Sequence, residues 1–527
     1  MKVLKLIFFV YLSLVSSSLF SQEKIDDLIL SRIKEEGFQH SQVMETLSWL
    51  SDVYGPRFFA SPEYLEAAEW AKTQLERYGL QNVSLEQLEG DFRGWSAESF
   101  SVEMIEPRYT PIFAYPKPYT SGTDGEVTGE PFIMKMGLKD DVPALDSLQQ
   151  YQGKLQGKIV FWDRRIKPLA PNFQPTAIRF TDEQLLKAQQ QIVPIPQEHI
   201  GAMIKKNFTE EATEWHETVM KWEEMTQFLI DEGVSAVVLA SDFQNGILHV
   251  DSYDMPFEHV GDLKAVPTFV ISNEQFSRIV RMKSKGINPV LKLHLNSTFY
   301  ENKKYSVNIL GELTGSDSRL RSEIVMLGAH FDTWNAGTGA TDNGAGCAII
   351  MEAMRILKTI GLKPKRTIRM ALWAGEEQDY YGARDYVNKR VGEVSTGKQK
   401  ADPEKITGYF NVDNGSGKIR GIYLQGNESV RTIFAKLLKP FAYLGVGTLT
   451  TQNTPWTDHV VFDHLNVPAF QFIQDPLNYN TITHHTNLDV LEYVVEDDLK
   501  QNAVIVASLI YHVAMRDEML PRKNIAK

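Results

Sequence analysis

The sequence predicts an α/β protein, a three-layer sandwich whose mostly parallel central sheet lies between helices, with a second β-rich unit inserted into it. Three observations lead there. From Val307 onward, near-continuous apolar runs alternate with amphipathic stretches, the pattern of parallel strands buried on both faces. Between about residues 120 and 300 the texture changes to short β-branched runs, GKIVFWD, VSAVVLAS and VPTFVIS, separated by the helix-like FLIDEGV and NEQFSRIVRMKSKG. Charged and imidazole side chains fall at the ends of the later strands.

At 527 residues the chain exceeds one ordinary domain, and a prior of roughly 150 residues per domain gives two or three units. Apolar residues make up 43%, enough for large cores. A net charge of -12 and the lack of a basic tract exclude nucleic acid as the expected partner. The opening MKVLKLIFFVYLSLVSSSLFSQEK has lysines, an apolar centre and a serine zone, the layout of a secretory signal peptide over residues 1–21. Its apolar run falls short of the ~20 residues that cross a bilayer, so no stable membrane span is expected and the mature chain is expected to be secreted or periplasmic.

Residues 25–48 read as helical. Ser61-Pro62 opens a helix with Ala67, Ala71 and Leu75 on one face, Gly79 stops it, and NVSLEQLEG is a strand. This entry belongs with residues 301–527, so 22–119 and 301–527 form the main unit and 120–300 the insert, placed where chain ends meet at a surface. In the main unit EIVMLGAH, TIRMALWAG, GYFNVDN and VPAFQFIQD are strands. CAIIMEAMRIL is a helix with Cys347, Ile350, Met351, Met354 and Leu357 on one face. Cys347, the only cysteine, excludes an intrachain disulfide and reads as a small buried hydrophobe.

In a mostly parallel sheet, ligands bind at the carboxyl ends of the strands. His330 ends EIVMLGAH, Glu376 and Glu377 follow TIRMALWAG, Asp413 ends GYFNV, and the His484-His485 pair lies beyond VPAFQFIQD. Asp342 stands among glycines just before the CAIIMEAMRIL helix. Carboxylates crowded together repel and lose hydration, a cost that divalent metal offsets, and imidazole plus carboxylate suits zinc. Glycines beside Asp342 let a shared carboxylate approach two ions, and Asp332, two residues after His330, is placed to orient that ring. Taken singly, each is as well explained by a capping, turn or solvated role. Their recurrence at the same ends of consecutive strands points to one site.

The ordered segments HFDTW, TDNGAG, AGEEQDYYGARDY, NVDNGSGKIRG and HHTNLDVLE resemble the motifs of the zinc-dependent M28 peptidases, in particular the carboxypeptidase Q-like branch. The segment from GKIVFWDRR to VPTFVIS resembles the protease-associated domain inserted in many of them. The resemblance implies a zinc exopeptidase fold holding two Zn2+ per subunit. Asp342 is then shared, His330 and Asp413 complete one ion, and Glu377 with His485 the other. It implies Glu376 as general base and Asp332 as the partner of His330. His485 is preferred to His484 because it directly precedes Thr486-Asn487-Leu488-Asp489. Asp458 and His459, in NTPWTDHVVF, are implied beside the ligands or the substrate, and Arg420 is either a substrate-carboxylate contact or a solvated surface group. The implied activity is hydrolysis of dipeptides or short peptides, with a homodimer as implied assembly. An aminopeptidase on longer peptides, a glutaminyl cyclase and an inactive peptide-binding relative are the alternatives.

Overall fold

The computed structural model describes residues 25–523, except 140–141, 165–169, 172, 192–210 and 256. The expected signal peptide lies outside the described residues. Among the described residues no helix is long and apolar enough to cross a membrane.

Eight strands make the main sheet: β1 (Gln81–Gln87), β2 (Val307–Leu313), β3 (Ile324–His330), β4 (Thr367–Trp373), β5 (Ile406–Asn411), β6 (Ile419–Tyr423), β7 (Thr448–Thr450) and β8 (Ala469–Gln474). Their spatial order is β1-β2-β4-β3-β5-β8-β6-β7. The central pairs β4/β3, β3/β5 and β5/β8 are parallel, while β1 and β2 add antiparallel at one edge. Strands β2, β3, β4, β5 and β8 are buried along almost their whole length, which is why their sequences are apolar runs rather than alternations. Because β4, β3, β5 and β8 run the same way, their carboxyl ends share one rim.

Helices cover both faces. On one, Ala345–Thr359 and Glu496–Met515 pack on each other and on β3, with Pro62–Arg77 against β1 and β2. Ser61 caps that last helix by accepting from the Tyr64 amide at 3.1 Å, and Gly79 ends it with φ +81°. On the other face, Tyr381–Arg390 and His459–His464 close over Met326, Trp373 and Tyr409. Residues expected to be one helical stretch, 25–48, form Asp27–Gln39 and Val43–Ser48.

Most of the remaining strands form two further sheets, of five and four strands. One holds Ala114–Pro116, Thr268–Ile271, Ala236–Ala240, Ile159–Asp163 and Pro131–Lys135, parallel except for the first. The other pairs Gly94–Glu106 with Val290–Tyr300 antiparallel, so both sheets also draw on chain before residue 120. Val102, Met104, Leu291 and Leu293 of one meet Phe161, Val238 and Phe269 of the other in a shared core. A separate aromatic cluster, Phe58, Trp95, Tyr119, Phe257 and Trp334, joins this unit to the main sheet near the rim.

Cys347 is fully buried, its Sγ 2.9 Å from the His330 carbonyl, and burial pushes the thiol up to about 12. Attack on thiol reagents needs thiolate. At pH 8 the native chain therefore leaves a chromogenic disulfide reagent unreacted, and the same chain in denaturant releases one equivalent, the measurement being absorbance before and after unfolding.

Candidate functional site

The rim gathers side chains from four strand ends and two loops. His330 closes β3 and is buried. Its Nε2 lies 3.1 Å from Asp342 Oδ1 and 3.3 Å from Asp413 Oδ1. Glu377, on the short helix Glu376–Asp379 after β4, places Oε2 3.0 Å from His485 Nε2, and that nitrogen is also 3.3 Å from Asp342 Oδ2. The two oxygens of Asp342 thus face two different imidazoles. His330, Asp342, Glu377, Asp413 and His485 stand together as expected.

His485 and His484 separate clearly. His485 is buried and touches both carboxylates. His484 is 38% exposed, its Nε2 3.8 Å from Asp342 and its ring stacked 3.7 Å from His485. Burial, with the His485 charge beside it, draws His484 down to about 4.

Asp342 sits in the turn Ala340–Gly344 that leads into the helix Ala345–Thr359. That turn explains the glycines. Gly339 adopts φ +66°, and a Cβ there would meet Thr333. A Cβ on Gly346 would come within 2.3 Å of Asn343 Oδ1 and the Val412 carbonyl. The loop folds back on itself and against β5 only without side chains at these points.

Asp332 is fully buried but arranged differently from the expected carboxylate–imidazole bond. The His330 Nδ1 lies 3.1 Å from the Asp332 backbone carbonyl and 3.9 Å from its carboxylate. The carboxylate instead accepts from the Glu376 and Glu377 amides at 3.2 and 3.3 Å, capping the helix that carries both glutamates. One residue thereby ties the β3 and β4 ends together.

Burial dominates the electrostatics. It raises Glu376, with Asp413 and Asp458 adding to the rise and His330 opposing it. It takes Glu377 up to about 7 against the pull of His485. Glu377 Oε1 is buried without a hydrogen-bond partner. Asp458 is fully buried, raised by desolvation, and neither of its oxygens has a partner, while the charges of His330 and Asp413 act on it. His459 is turned elsewhere: its Nε2 accepts from the Gln425 amide at 2.5 Å, and burial draws it down to about 3.

Arg420 corrects both sequence readings. It is only 7% exposed, and its guanidinium pairs with fully buried Asp475 at 3.2 Å and donates to the Gly445 carbonyl. Arg420 lies in strand β6, Ile419–Tyr423, and its guanidinium enters an ion pair.

Several supporting residues carried no local signal. Asp489 accepts from the Thr341 amide and hydroxyl at 2.6 and 2.7 Å and from the Asp342 amide at 3.1 Å, holding the turn beneath the shared carboxylate. Its place in the HTNLD segment was the available clue. Fully buried Arg57 donates to the carbonyls of Phe331, Leu50 and Gly339 at 2.8, 2.7 and 3.0 Å, bracing the loop from its far side. Tyr253 from the second unit and Trp334 from the loop after β3 set their rings 5.8 Å from His485.

Imidazoles and carboxylates gathered where parallel strands end define a metal-dependent hydrolase. Residues 308–510 match the model of peptidase family M28. Carboxypeptidase Q of Mus musculus is 26% identical over 493 residues, covering 92% of this chain and 88% of the relative. The Homo sapiens protein of that name is 25% identical over 487 residues with the same shares. Among solved structures, the peptidase M28 precursor from Shewanella amazonensis superposes with a TM-score of 0.63 at 22% identity, covering 95% of this chain and 100% of that one. The zinc aminopeptidase from Bacillus subtilis gives 0.53 at 17% identity, with 89% and 94% covered. At those identities the structural likeness establishes the fold. The chain is a zinc metallopeptidase, similar to the M28 peptidases over residues 308–510.

Arg57→Met strips the donor from three buried carbonyls, each of which costs about 1–3 kcal/mol when left unpaired. The expected loss is about 3 kcal/mol or more, seen as a lower denaturant midpoint at unchanged slope.

Proposed function

We propose that this chain is a dinuclear zinc exopeptidase that hydrolyses dipeptides or short peptides. The observation that carries the reading is the shared carboxylate: Asp342 Oδ1 faces His330 Nε2 at 3.1 Å while its Oδ2 faces His485 Nε2 at 3.3 Å. Asp413 completes the first half and Glu377 the second. The donor set fits zinc in chemistry, nitrogen and carboxylate oxygen, and the partnerless buried oxygen of Glu377 is an acceptor suited to a cation.

Two zinc ions held by these five residues would supply Lewis acidity toward the peptide carbonyl and lower the pKa of water towards ~7. Glu376 stands beside a ligand without being one in this assignment. Its carboxylate, kept basic by burial and by the neighbouring acids, takes the proton of the attacking water and returns it to the leaving amine. Asp332 fixes Glu376 by capping its helix, so the base cannot swing as the proton moves. Trp334 and Tyr253 wall the His485 side and limit how long a peptide can lie across the rim.

The same reading takes residues 1–21 as a cleaved signal peptide of an exported enzyme, and the inserted unit as a protease-associated domain. The N-terminal sequence of the mature chain, purified from its native host, tests the first: a start near residue 22 is expected, and an intact Met1 overturns it.

Three measurements test the activity. Wild-type protein is expected to bind two zinc ions per chain, and stripping them lowers the melting temperature until zinc is restored. Glu376→Gln is expected to lose about 10²–10⁴-fold in kcat while keeping both ions. A free dipeptide is cleaved, and blocking either terminus abolishes cleavage. Loss on amino blocking alone would make the chain an aminopeptidase instead, and two bound ions with no hydrolysis across a broad peptide panel would make it a binding protein.

A further inference from the structure

The loop of the second unit that reaches the rim does more than wall it. Residues 248–250 run antiparallel to 485–487: Val250 N donates to the His485 carbonyl at 2.8 Å, His249 bridges Thr486, and Asn487 bonds Leu248 through both backbone and side chain, at 3.1 and 2.6 Å. His485 has φ +56°, a left-handed conformation that a histidine seldom adopts, and this pairing holds it there.

The next residues of the loop put charge behind the same ring. With Nε2 turned to Asp342 and Glu377, the His485 Nδ1 faces Asp251 Oδ2 at 4.0 Å. His249 lies nearly parallel to His485, with its Nε2 3.5 Å from that same oxygen. The other oxygen of Asp251 is 3.7 Å from Nζ of buried Lys117, which also pairs with Asp254, itself held by Arg164 at 2.8 Å. Asp251 is therefore anchored from behind by Lys117, while its Oδ2, also beside His249, faces a His485 ring nitrogen that the rim does not use.

We propose that Asp251 is the positioning carboxylate of His485, so that the inserted unit sets the affinity of one of the two metal positions. The inference rests on the dinuclear reading. An imidazole that gives one nitrogen to a cation is oriented, and made more basic, by a carboxylate at its other nitrogen, and loss of such a partner weakens metal binding about 10–100-fold. His330 has its counterpart within the main unit, where the Asp332 backbone carbonyl lies 3.1 Å from Nδ1. His485 has its counterpart from a different unit of the chain. Metal occupancy at the Glu377–His485 position then depends on the inserted unit being docked.

The test compares wild type, Asp251→Ala and Asp251→Asn as full-length mature chains, with the isosteric asparagine guarding against misfolding of the alanine variant. Each is stripped, titrated with zinc against a chromophoric chelator, and loaded with Co2+ for its visible spectrum. The expected result is one ion bound about 10–100-fold more weakly in Asp251→Ala and less so in Asp251→Asn, with the second ion unchanged. The Co2+ bands of the weakened position shift as its ligand field changes. If wild type holds two ions and both variants match it in affinity and spectrum, this inference falls and the dinuclear reading stands. If wild type itself fails to hold two ions, both fall together.

Discussion

Concentration of negative charge in a place with little water governs this structure. Asp332, Asp342, Glu377, Asp458 and Asp489 are all nearly or fully buried, and Asp413 and Glu376 lie among them. The nearest positive groups are two histidines. A carboxylate held in such surroundings is expelled, protonated or paired with a cation, and the fold commits many interactions to preventing expulsion. Asp489 grips the Asp342 turn, Asp332 caps the glutamate helix, and Arg57 holds the Phe331 and Gly339 carbonyls of the intervening loop. These contacts are strong because they are dry. They also leave the acids pointing at each other, which makes sense for a metallopeptidase whose cations complete the charge balance.

That constraint explains why the main features could be read from the sequence. Parallel strands buried on both faces are mostly apolar, so the charged or imidazole side chain at the end of each run stands out: His330 closing β3, Glu376 after β4, Asp413 after β5. The same logic located the glycine-rich turn around Asp342. What could not be read was anything set by distant pairing. Arg57 lies some 270 residues from Phe331, whose carbonyl it binds, and nothing in YGPRFF marks it. Arg420 pairs with Asp475, distant in sequence, and the glycines flanking it give no sign of that partner. Those glycines instead let β6 lie close to its neighbours: a Cβ on Gly417 would strike the Asp475 carbonyl and one on Gly421 the Thr448 carbonyl. Asp332 was placed correctly and its bonds were not, since two residues of spacing fix position without fixing rotamer.

The second unit adds a different kind of dependence. One loop, residues 248–263, touches the rim on both flanks. Its start pairs with the His485 segment. Its end presents Glu258, which accepts from the Tyr381 hydroxyl at 3.0 Å, and His259, 3.1 Å from that same hydroxyl, just beyond the helix bearing Glu376 and Glu377. Arg93, fully buried at the junction, anchors this end by donating to the Asp262 and Leu263 carbonyls. The loop therefore spans from His485 to the helix of the glutamates.

A left-handed backbone at a residue other than glycine costs about 1–3 kcal/mol and persists only where its surroundings impose it. Tyr380, directly after the glutamate helix, has φ +54°, and His485 has φ +56°. Each lies next to a point where the 248–263 loop is bonded to the main unit. At these two places beside the rim, the strained backbone is met by a bond from the same loop of the second unit. The economical account is that the main unit gathers the acids and the second unit fixes the backbone angles at which Glu377 and His485 meet. A parallel sheet supplies convergence cheaply, through strand direction. Geometry at the scale of a coordination sphere needs a second body pressing on the loops.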